Sequence, residues 1–241
     1  MSPSLRRAFV LAAIFIERWI LSLVFFYFAW MEFGKAEGIH SGTLPREGAS
    51  MFVGVARHYI LFVAAVLTGV FLLIARRAAV LPERLSFVFV PLATTFFTML
   101  YYTVPSFPSA LQVSLCPPEW RMALVTAGVT CAIIGPLISL WGIIHLGRSF
   151  GIFVAVRKVV LTGPYRWVRH PMYLGWVFIC AGVALSNFSA AYFLLTGIHV
   201  ALLVYRAHLE ESQLAEHSAE YRETMKRTGF IFPKLWRGAN S

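Results

Sequence analysis

Two short segments of the chain carry the side chains most suited to chemistry. Residues 163–175 read GPYRWVRHPMYLG, which places two arginines, a histidine and two tyrosines at the start of an apolar stretch. Residues 206–214 read RAHLEESQL and begin where the last apolar stretch ends. Charged groups are costly at a membrane, so such clusters usually mark a binding or catalytic site.

The first segment contains the signals for a turn followed by a helix. Gly163-Pro164 is a turn dipeptide, and Pro171 suits the first turn of a helix, where its missing N–H costs nothing. His170 therefore falls near the N-cap of that helix, with Tyr173 close to the same end. The competing interpretation is a basic collar that only anchors lipid phosphates, with the tyrosines in an interfacial belt.

The second segment predicts a helix with Arg206 and Glu210 on one face, because the two residues are four apart. An exposed ion pair of this spacing contributes only a few tenths of a kcal/mol, so a purely structural pair is one interpretation and a functional pair the other. Glu211 is expected to point to solvent or to cap a backbone group.

The composition indicates an integral membrane protein. Of the 241 residues, 59% are hydrophobic and 13% are charged, whereas a soluble domain is about half apolar and a quarter charged. The net charge of +10 does not indicate nucleic-acid binding, because the basic residues punctuate apolar runs and form no basic stripe. Cys116, Cys131 and Cys180 have no paired spacing, so neither a disulfide framework nor a metal site is predicted.

Six apolar segments approach the length of about 20 residues that a membrane-spanning helix requires. The predicted spans are 9–30, 59–75, 85–104, 122–146, 172–185 and 190–205. The last two are short and form a tight helical hairpin. We therefore predict an all-α, polytopic integral membrane protein with five to six transmembrane helices and a cytoplasmic C-terminal helix over about 209–226.

The connections complete this predicted organisation. Segment 31–58 is expected to be the longest loop, and the proline-rich segment 105–121 is expected to be irregular. Pro136 is expected to kink the fourth span. The chain is divided into N-terminal transmembrane helices, 1–146, and a C-terminal core, 147–241.

The distribution of basic residues predicts the orientation of the chain. Sixteen of the 21 lysines and arginines fall on one side of the predicted spans and four on the other. By the positive-inside rule, both termini and both polar segments are then cytoplasmic. Two further ionisable residues, Glu17 and Arg18, lie within the first span. We interpret them as a structural pair, although ionisable residues in spans also mark transport pathways.

The pattern GPYRxVRHPxYxG, followed by an apolar hairpin, then RxxxEExxL and a tyrosine-bearing tail, resembles the isoprenylcysteine carboxyl methyltransferase family. Related integral membrane methyltransferases that act on phospholipids or small thiols are similar. The resemblance covers residues 145–236 and implies S-adenosylmethionine as the methyl donor. It also implies that Arg206 faces the substrate and that Glu210 reaches the cofactor, which makes these two the predicted catalytic residues. The implied cofactor-binding residues are Arg157, Lys158, Val159, Val160, Tyr165, His170, Pro171, Met172, Tyr173 and Glu210.

One position departs from the family pattern. Arg157 stands where the prenylcysteine enzymes have a histidine, so the contact of that side chain and the identity of the acceptor stay open. The acceptor classes are an isoprenylcysteine-like carboxylate, a phospholipid amine or a thiol. No G-x-G-x-x-G motif is present, which fits a cofactor held by helix ends and loops.

Two other functions compete with methyl transfer. Membrane sterol and steroid reductases, which bind NADPH, resemble the C-terminal architecture. A small non-enzymatic transporter would explain Glu17 and Arg18, but spans two to four contain few polar residues. The expected partners are a lipophilic or small-molecule methyl acceptor and membrane lipids, with no nucleic acid and no metal.

Overall fold

A computed structural model describes residues 3–44, 51–80, 82 and 84–234 of the chain. These residues form α-helices joined by short 3-10 and irregular segments. The helices are α1 (Pro3–Phe15), α2 (Leu21–Ser41), α3 (Met51–Leu73), α4 (Ser86–Phe96), α5 (Ser109–Gln112), α6 (Arg121–Leu146), α7 (Pro171–Asn187), α8 (Ala190–His217) and α9 (Ala219–Arg227). Within the described residues, β-pairing is limited to three isolated bridges, so the predicted all-α fold class is confirmed.

Among the residues that the structure describes, four helical segments are long and apolar enough to cross a membrane. They are Ala8–Ser41, Val55–Leu73, Pro118–Ser149 and Ala190–His217. Two shorter apolar helices, Ser86–Tyr101 and Pro171–Asn187, correspond to the other two predicted spans. The prediction of a polytopic membrane protein is therefore confirmed.

The first span is longer than predicted. A π-helical turn, Ile16–Ile20, joins α1 to α2, and the helix continues to Ser41 rather than ending at residue 30. Its polar end is stabilised by pairing: Lys35 contacts Glu32 at 2.7 Å, and Glu32 contacts His58 of α3 at 2.6 Å. The expectation of a long loop over 31–58 was wrong for residues 31–41 and 51–58, which are helical, while residues 45–50 lie outside the described part of the chain.

The third span and the tail also differ from prediction. Helix α4 gives way to a 3-10 helix, Phe97–Ser106, within the predicted span. The predicted helical tail over about 209–226 is helical, but its first part is the end of α8, which continues to His217, and its second part is α9. The chain breaks at Ser218, whose hydroxyl accepts from the N–H of Tyr221 at 3.1 Å and so caps α9. The segment 105–121 is not wholly irregular, since it contains α5.

Helices α6 and α7 pack with their backbones almost in contact. A Cβ atom added to Gly135 would lie 2.6 Å from the carbonyl oxygen of Gly175, and one added to Gly128 would lie 2.8 Å from that of Gly182. Small residues at a helix interface permit this close approach in membranes. Helix α6 runs unbroken through Pro136. The start of α7, which carries His170 and Tyr173, is thereby fixed against α6.

Backbone contacts gather the predicted cytoplasmic connections at one end of the helices. The N–H of Arg76 donates to the carbonyl of Arg148 at 2.7 Å, and Val80 pairs with Val156. At the other end, the N–H of Leu115 donates to the carbonyl of Phe188. The connections predicted to lie on the same side of the membrane are therefore close to one another, as expected.

A buried histidine ties three helices together between these ends. His199 of α8 donates from Nε2 to the Thr94 carbonyl of α4 at 3.2 Å, and its Nδ1 lies 3.4 Å from the Cys180 sulfur of α7. A carbonyl only accepts, so Nδ1 accepts from the thiol. Cys180 is buried, as expected for a small apolar residue, whereas Cys116 and Cys131 are partly exposed.

Candidate active site

Arg206 is the residue that joins the most elements at the site. Its side chain is buried on α8, with the residue 8% exposed. The guanidinium donates from Nε to Glu210 at 3.2 Å, from one terminal nitrogen to the Thr95 hydroxyl at 3.3 Å, and from the other to the Ile152 carbonyl at 2.8 Å. The predicted ion pair of Arg206 and Glu210 is confirmed, but it belongs to a larger buried network.

Glu210 uses one carboxylate oxygen for its strong contacts. Its Oε1 accepts from Arg206 and from the phenol of Tyr173, over whose ring the guanidinium carbon of Arg206 lies at 5.4 Å. The other oxygen, Oε2, has His170 Nδ1 at 3.9 Å. Within the described residues this second oxygen accepts no hydrogen bond, and the Glu210 side chain is 25% exposed.

His170 occupies the N-cap position of α7, as predicted, although its side chain does not cap the helix. Its ring stacks on Tyr173 at 5.3 Å, and its Nε2 lies 3.3 Å from Glu211. Glu211 is only 6% exposed and also accepts from Nε of Arg169. The expectation that Glu211 points to solvent was wrong, because on α8 this carboxylate lies against Arg169 and His170.

The C-terminal tail closes over the same residues. The backbone of Arg169 donates to Gly229 at 2.9 Å, and that of His170 donates to Phe230 at 3.1 Å. The Arg169 side chain also donates to the Thr228 carbonyl at 2.7 Å, just beyond the end of α9. Phe230 meets the His170 ring edge to face at 5.2 Å. The two sequence motifs and the tail therefore form one continuous structure.

Two buried tyrosines line the site outside the membrane helices. Burial, and then the nearby charge of Glu210, raises the pKa of Tyr165 well above its usual value. Burial also raises the pKa of Tyr221, with the charge of Glu211 adding to the effect. Both phenols therefore stay neutral at physiological pH, and the buried Tyr221 hydroxyl has no hydrogen-bond partner within the described residues.

Segment 150–157 reaches back to the first span. The guanidinium of Arg157 contacts Glu17 at 2.6 Å, and the N–H of Phe153 donates to the other oxygen of Glu17 at 2.8 Å. Arg18 instead donates to the carbonyl of Ala75 at 2.5 Å. The predicted pairing of Glu17 with Arg18 was wrong, since adjacent residues on a helix do not face each other.

A cavity of about 1140 Å³ lies between the helices and ends at this network. Nearly all the predicted site residues line it: Arg157, Lys158, Val159, Val160, Tyr165, His170, Met172, Tyr173, Arg206 and Glu210. Pro171 does not line the cavity; it is buried where α7 begins. Ligand pockets usually measure about 300–1,000 Å³, so this cavity is large enough for a ligand of ordinary size.

The cavity wall offers polar atoms that a ligand can satisfy. Within the described part of the chain, Nε of Arg157 and Oε1 of Gln213 are buried and have no hydrogen-bond partner. Such orphaned groups are rare in folded proteins and are expected where a bound molecule completes the bonding. Together with Glu210, which also lines the cavity, they supply both donor and acceptor atoms to its wall.

The sequence prediction did not include several residues that the structure brings to the site. Arg169 and Glu211 belong to the two motifs, but their mutual contact joins positions 42 residues apart. Gln213 follows Glu210 by three residues and so shares its helix face, a signal that the sequence did contain. Glu17 had a signal as well, being an ionisable residue in a span.

Fold and site together define a polytopic helical membrane protein with a buried polar network at one end of an internal cavity. Residues 123–220, from α6 into α9, match the family model described as phospholipid methyltransferase. The match confirms the resemblance to integral membrane methyltransferases and supports, in general terms, a membrane methyltransferase. The comparison with curated proteins found no match.

Proposed function

We propose that this protein transfers a methyl group from S-adenosylmethionine to a lipophilic or small acceptor at the cytoplasmic face of the membrane. The observation that carries the proposal is the buried network of Arg206, Glu210 and Tyr173. It lies in the wall of a large cavity and within the region that matches the methyltransferase family. When bound, S-adenosylmethionine would supply a methyl group already activated on a sulfonium, so neither a metal nor a covalent nucleophile is required.

Glu210 and its neighbours are the proposed contacts for the charged part of the cofactor. Oε1 of Glu210 is held by Tyr173 and Arg206, which leaves Oε2 as a preorganised acceptor for a cationic group. Charge-assisted hydrogen bonds of this kind are about twice as strong as neutral ones. The other proposed cofactor contacts are Arg157, Lys158, Val159, Val160, Tyr165, His170, Pro171, Met172 and Tyr173.

Arg206 is the proposed contact for the acceptor. Three of its five N–H donors are occupied by Glu210, Thr95 and Ile152, so two remain, one on each terminal nitrogen. These donors would orient an acceptor oxygen, whether of a carboxylate or of a phosphate. Holding donor and acceptor in line is the main task in such a transfer, and good positioning contributes roughly 7–11 kcal/mol.

The acceptor classes differ in their need for a base. An isoprenylcysteine-like carboxylate attacks as it stands. A phospholipid amine or a thiol loses a proton when it gains the methyl group, and His170 beside Oε2 of Glu210 is the proposed group to take it. The cavity wall is largely apolar, which suits an acceptor that arrives through the bilayer.

The proposed arrangement divides the chain as the sequence suggested. Residues 147–241 form the methyltransferase core, and residues 1–146 supply the other membrane helices, with both termini in the cytoplasm. In that orientation the water-soluble donor reaches the network from the cytoplasm, and the acceptor reaches it from the membrane.

Binding measurements on the purified protein test this function. Calorimetry in detergent should detect S-adenosylmethionine and its demethylated product, and no binding of NADPH. Tritiated methyl transfer should then be measured with a prenylcysteine analogue, an aminophospholipid and a hydrophobic thiol. Binding of NADPH without S-adenosylmethionine would support a reductase instead, and binding of neither would sink both enzymatic proposals.

A further inference from the structure

Glu17, in the first membrane helix, contacts the segment that carries the proposed cofactor residues. Its carboxylate is buried, with the residue 7% exposed, at the π-helical turn Ile16–Ile20. Residues 123–220, which match the family model, do not include it. A buried carboxylate in a membrane helix is expensive and usually serves a function.

Both oxygens of Glu17 have partners on one short segment. Oε1 accepts from the N–H of Phe153 at 2.8 Å, and Oε2 accepts from the Arg157 guanidinium at 2.6 Å. The side chains of Glu17 and Arg157 are only 10% and 8% exposed. Solvent screening at this pair is therefore weak, and removal of either partner would leave an uncompensated buried charge.

The segment that Glu17 holds is also joined to the active-site network. The carbonyl of Ile152, next to Phe153, accepts from Arg206 at 2.8 Å. Arg157 itself lines the cavity, and its Nε is a buried donor without a partner in the described residues. Glu17 thus holds the segment at two points. One is Phe153, next to the residue that contacts Arg206, and the other is Arg157, which lines the cavity.

We infer that Glu17 is a positioning residue, which aims the free Nε of Arg157 into the cavity and holds the Ile152 carbonyl against Arg206. The inference rests on the proposed function for its consequence in catalysis. It makes the first membrane helix a part of the active site. It also explains how a buried arginine is tolerated at position 157, since the negative charge of Glu17 compensates the positive charge of Arg157.

A double-mutant cycle measures the coupling between the two residues. Glu17→Gln keeps an oxygen for the Phe153 N–H but removes the charge that faces Arg157. Glu17→Gln and Arg157→Gln should each weaken S-adenosylmethionine binding by about tenfold or more, as expected for a lost charged hydrogen bond. The double variant should bind no more weakly than Arg157→Gln alone, because contacting residues are not additive.

The matched control is Glu37→Gln. Glu37 lies on α2, in the same continuous helix as Glu17, and its carboxylate accepts from Tyr59 rather than from the site. This variant should bind S-adenosylmethionine as the wild type does. The inference is overturned if Glu17→Gln also binds as the wild type does, or if the two single losses multiply in the double variant.

Hydrogen exchange separates this inference from the proposed function. Glu17→Ala should raise the exchange rate in peptides from 150–157, where Phe153 loses its acceptor, and Glu37→Ala should not. If the wild type binds no S-adenosylmethionine, the proposed function fails, and this exchange result still decides the role of Glu17. Unchanged exchange in Glu17→Ala would overturn the inference whatever the protein binds.

Discussion

Tyr173 of α7 donates a hydrogen bond from its phenol to the Glu210 carboxylate of α8. The bond joins the last residues of the first motif to the acidic residue of the second, 37 positions later in the chain. It also engages Oε1 of Glu210, so that Oε2 is the oxygen without a hydrogen bond among the described residues. The geometry of this pair therefore controls the proposed cofactor contact.

Tyr173→Phe should weaken S-adenosylmethionine binding by about tenfold, because the Glu210 carboxylate loses a hydrogen bond of the charged class. Calorimetry on the purified variant measures the loss. Tyr205→Phe, a change on the half-exposed surface of α8, should leave the affinity as it is. Equal affinities for Tyr173→Phe and the wild type would mean that the pair does not shape the cofactor site.

Arg206→Lys should lower the rate of methyl transfer by about 100-fold while the protein still inserts and folds. Lysine keeps the charge, but it cannot contact Glu210, Thr95 and the Ile152 carbonyl at once. Initial rates at saturating donor measure the effect. Arg222→Lys, in the exposed face of α9, is the control and should keep the wild-type rate. A fully active Arg206→Lys variant would remove Arg206 from the proposed chemistry.

Gly135→Ala should lower the thermal midpoint by about 5 °C, because overpacking of a tight interface costs about 1–3 kcal/mol. The new methyl group would lie 2.6 Å from the Gly175 carbonyl, and backbone must move to relieve that contact. Gly197→Ala is the matched control, since no neighbouring atom lies within 4 Å of its added Cβ. Similar midpoints for the two variants would contradict the close packing of α6 and α7.

The stability of the protein should depend on Tyr165 in alkali. Since burial raises its pKa well above the usual 10.0, the phenol stays protonated in the folded state where it already ionises in the unfolded chain. Its contribution is fully present below about pH 10 and is lost as the pH rises beyond that value. The thermal midpoint should therefore fall less between pH 8 and about pH 11 in Tyr165→Phe than in the wild type. A parallel fall in both proteins would contradict the buried position of this phenol.

The sequence was sufficient to predict the membrane helices and ten of the residues that line the cavity. Hydropathy places the spans, and Pro171 marks the start of α7 because the missing N–H of proline costs nothing in the first turn of a helix. The distribution of basic residues also predicted that the two motifs lie on the same side of the membrane. These features are local or additive along the chain, so a single sequence reveals them.

The contacts between distant segments could not be predicted in the same way. The four-residue spacing places Glu210 on the face of Arg206, but nothing local predicts that Glu211 is buried against Arg169. The partner of Glu17 lies 140 residues away, and the adjacent Arg18 was the nearest candidate in the sequence. Only the packing of the first helix against segment 150–157 determines that pairing.

The most direct test of the central claim is transfer of a labelled methyl group by the purified protein in lipid nanodiscs. Wild-type protein with S-adenosylmethionine labelled in its methyl group should transfer label to at least one of the three acceptor classes. Glu210→Gln should lose nearly all of this transfer, whereas Glu216→Gln, an exposed change on the same helix, should keep it. Absence of labelled product from the wild type with every acceptor class, or full activity in Glu210→Gln, would contradict the account.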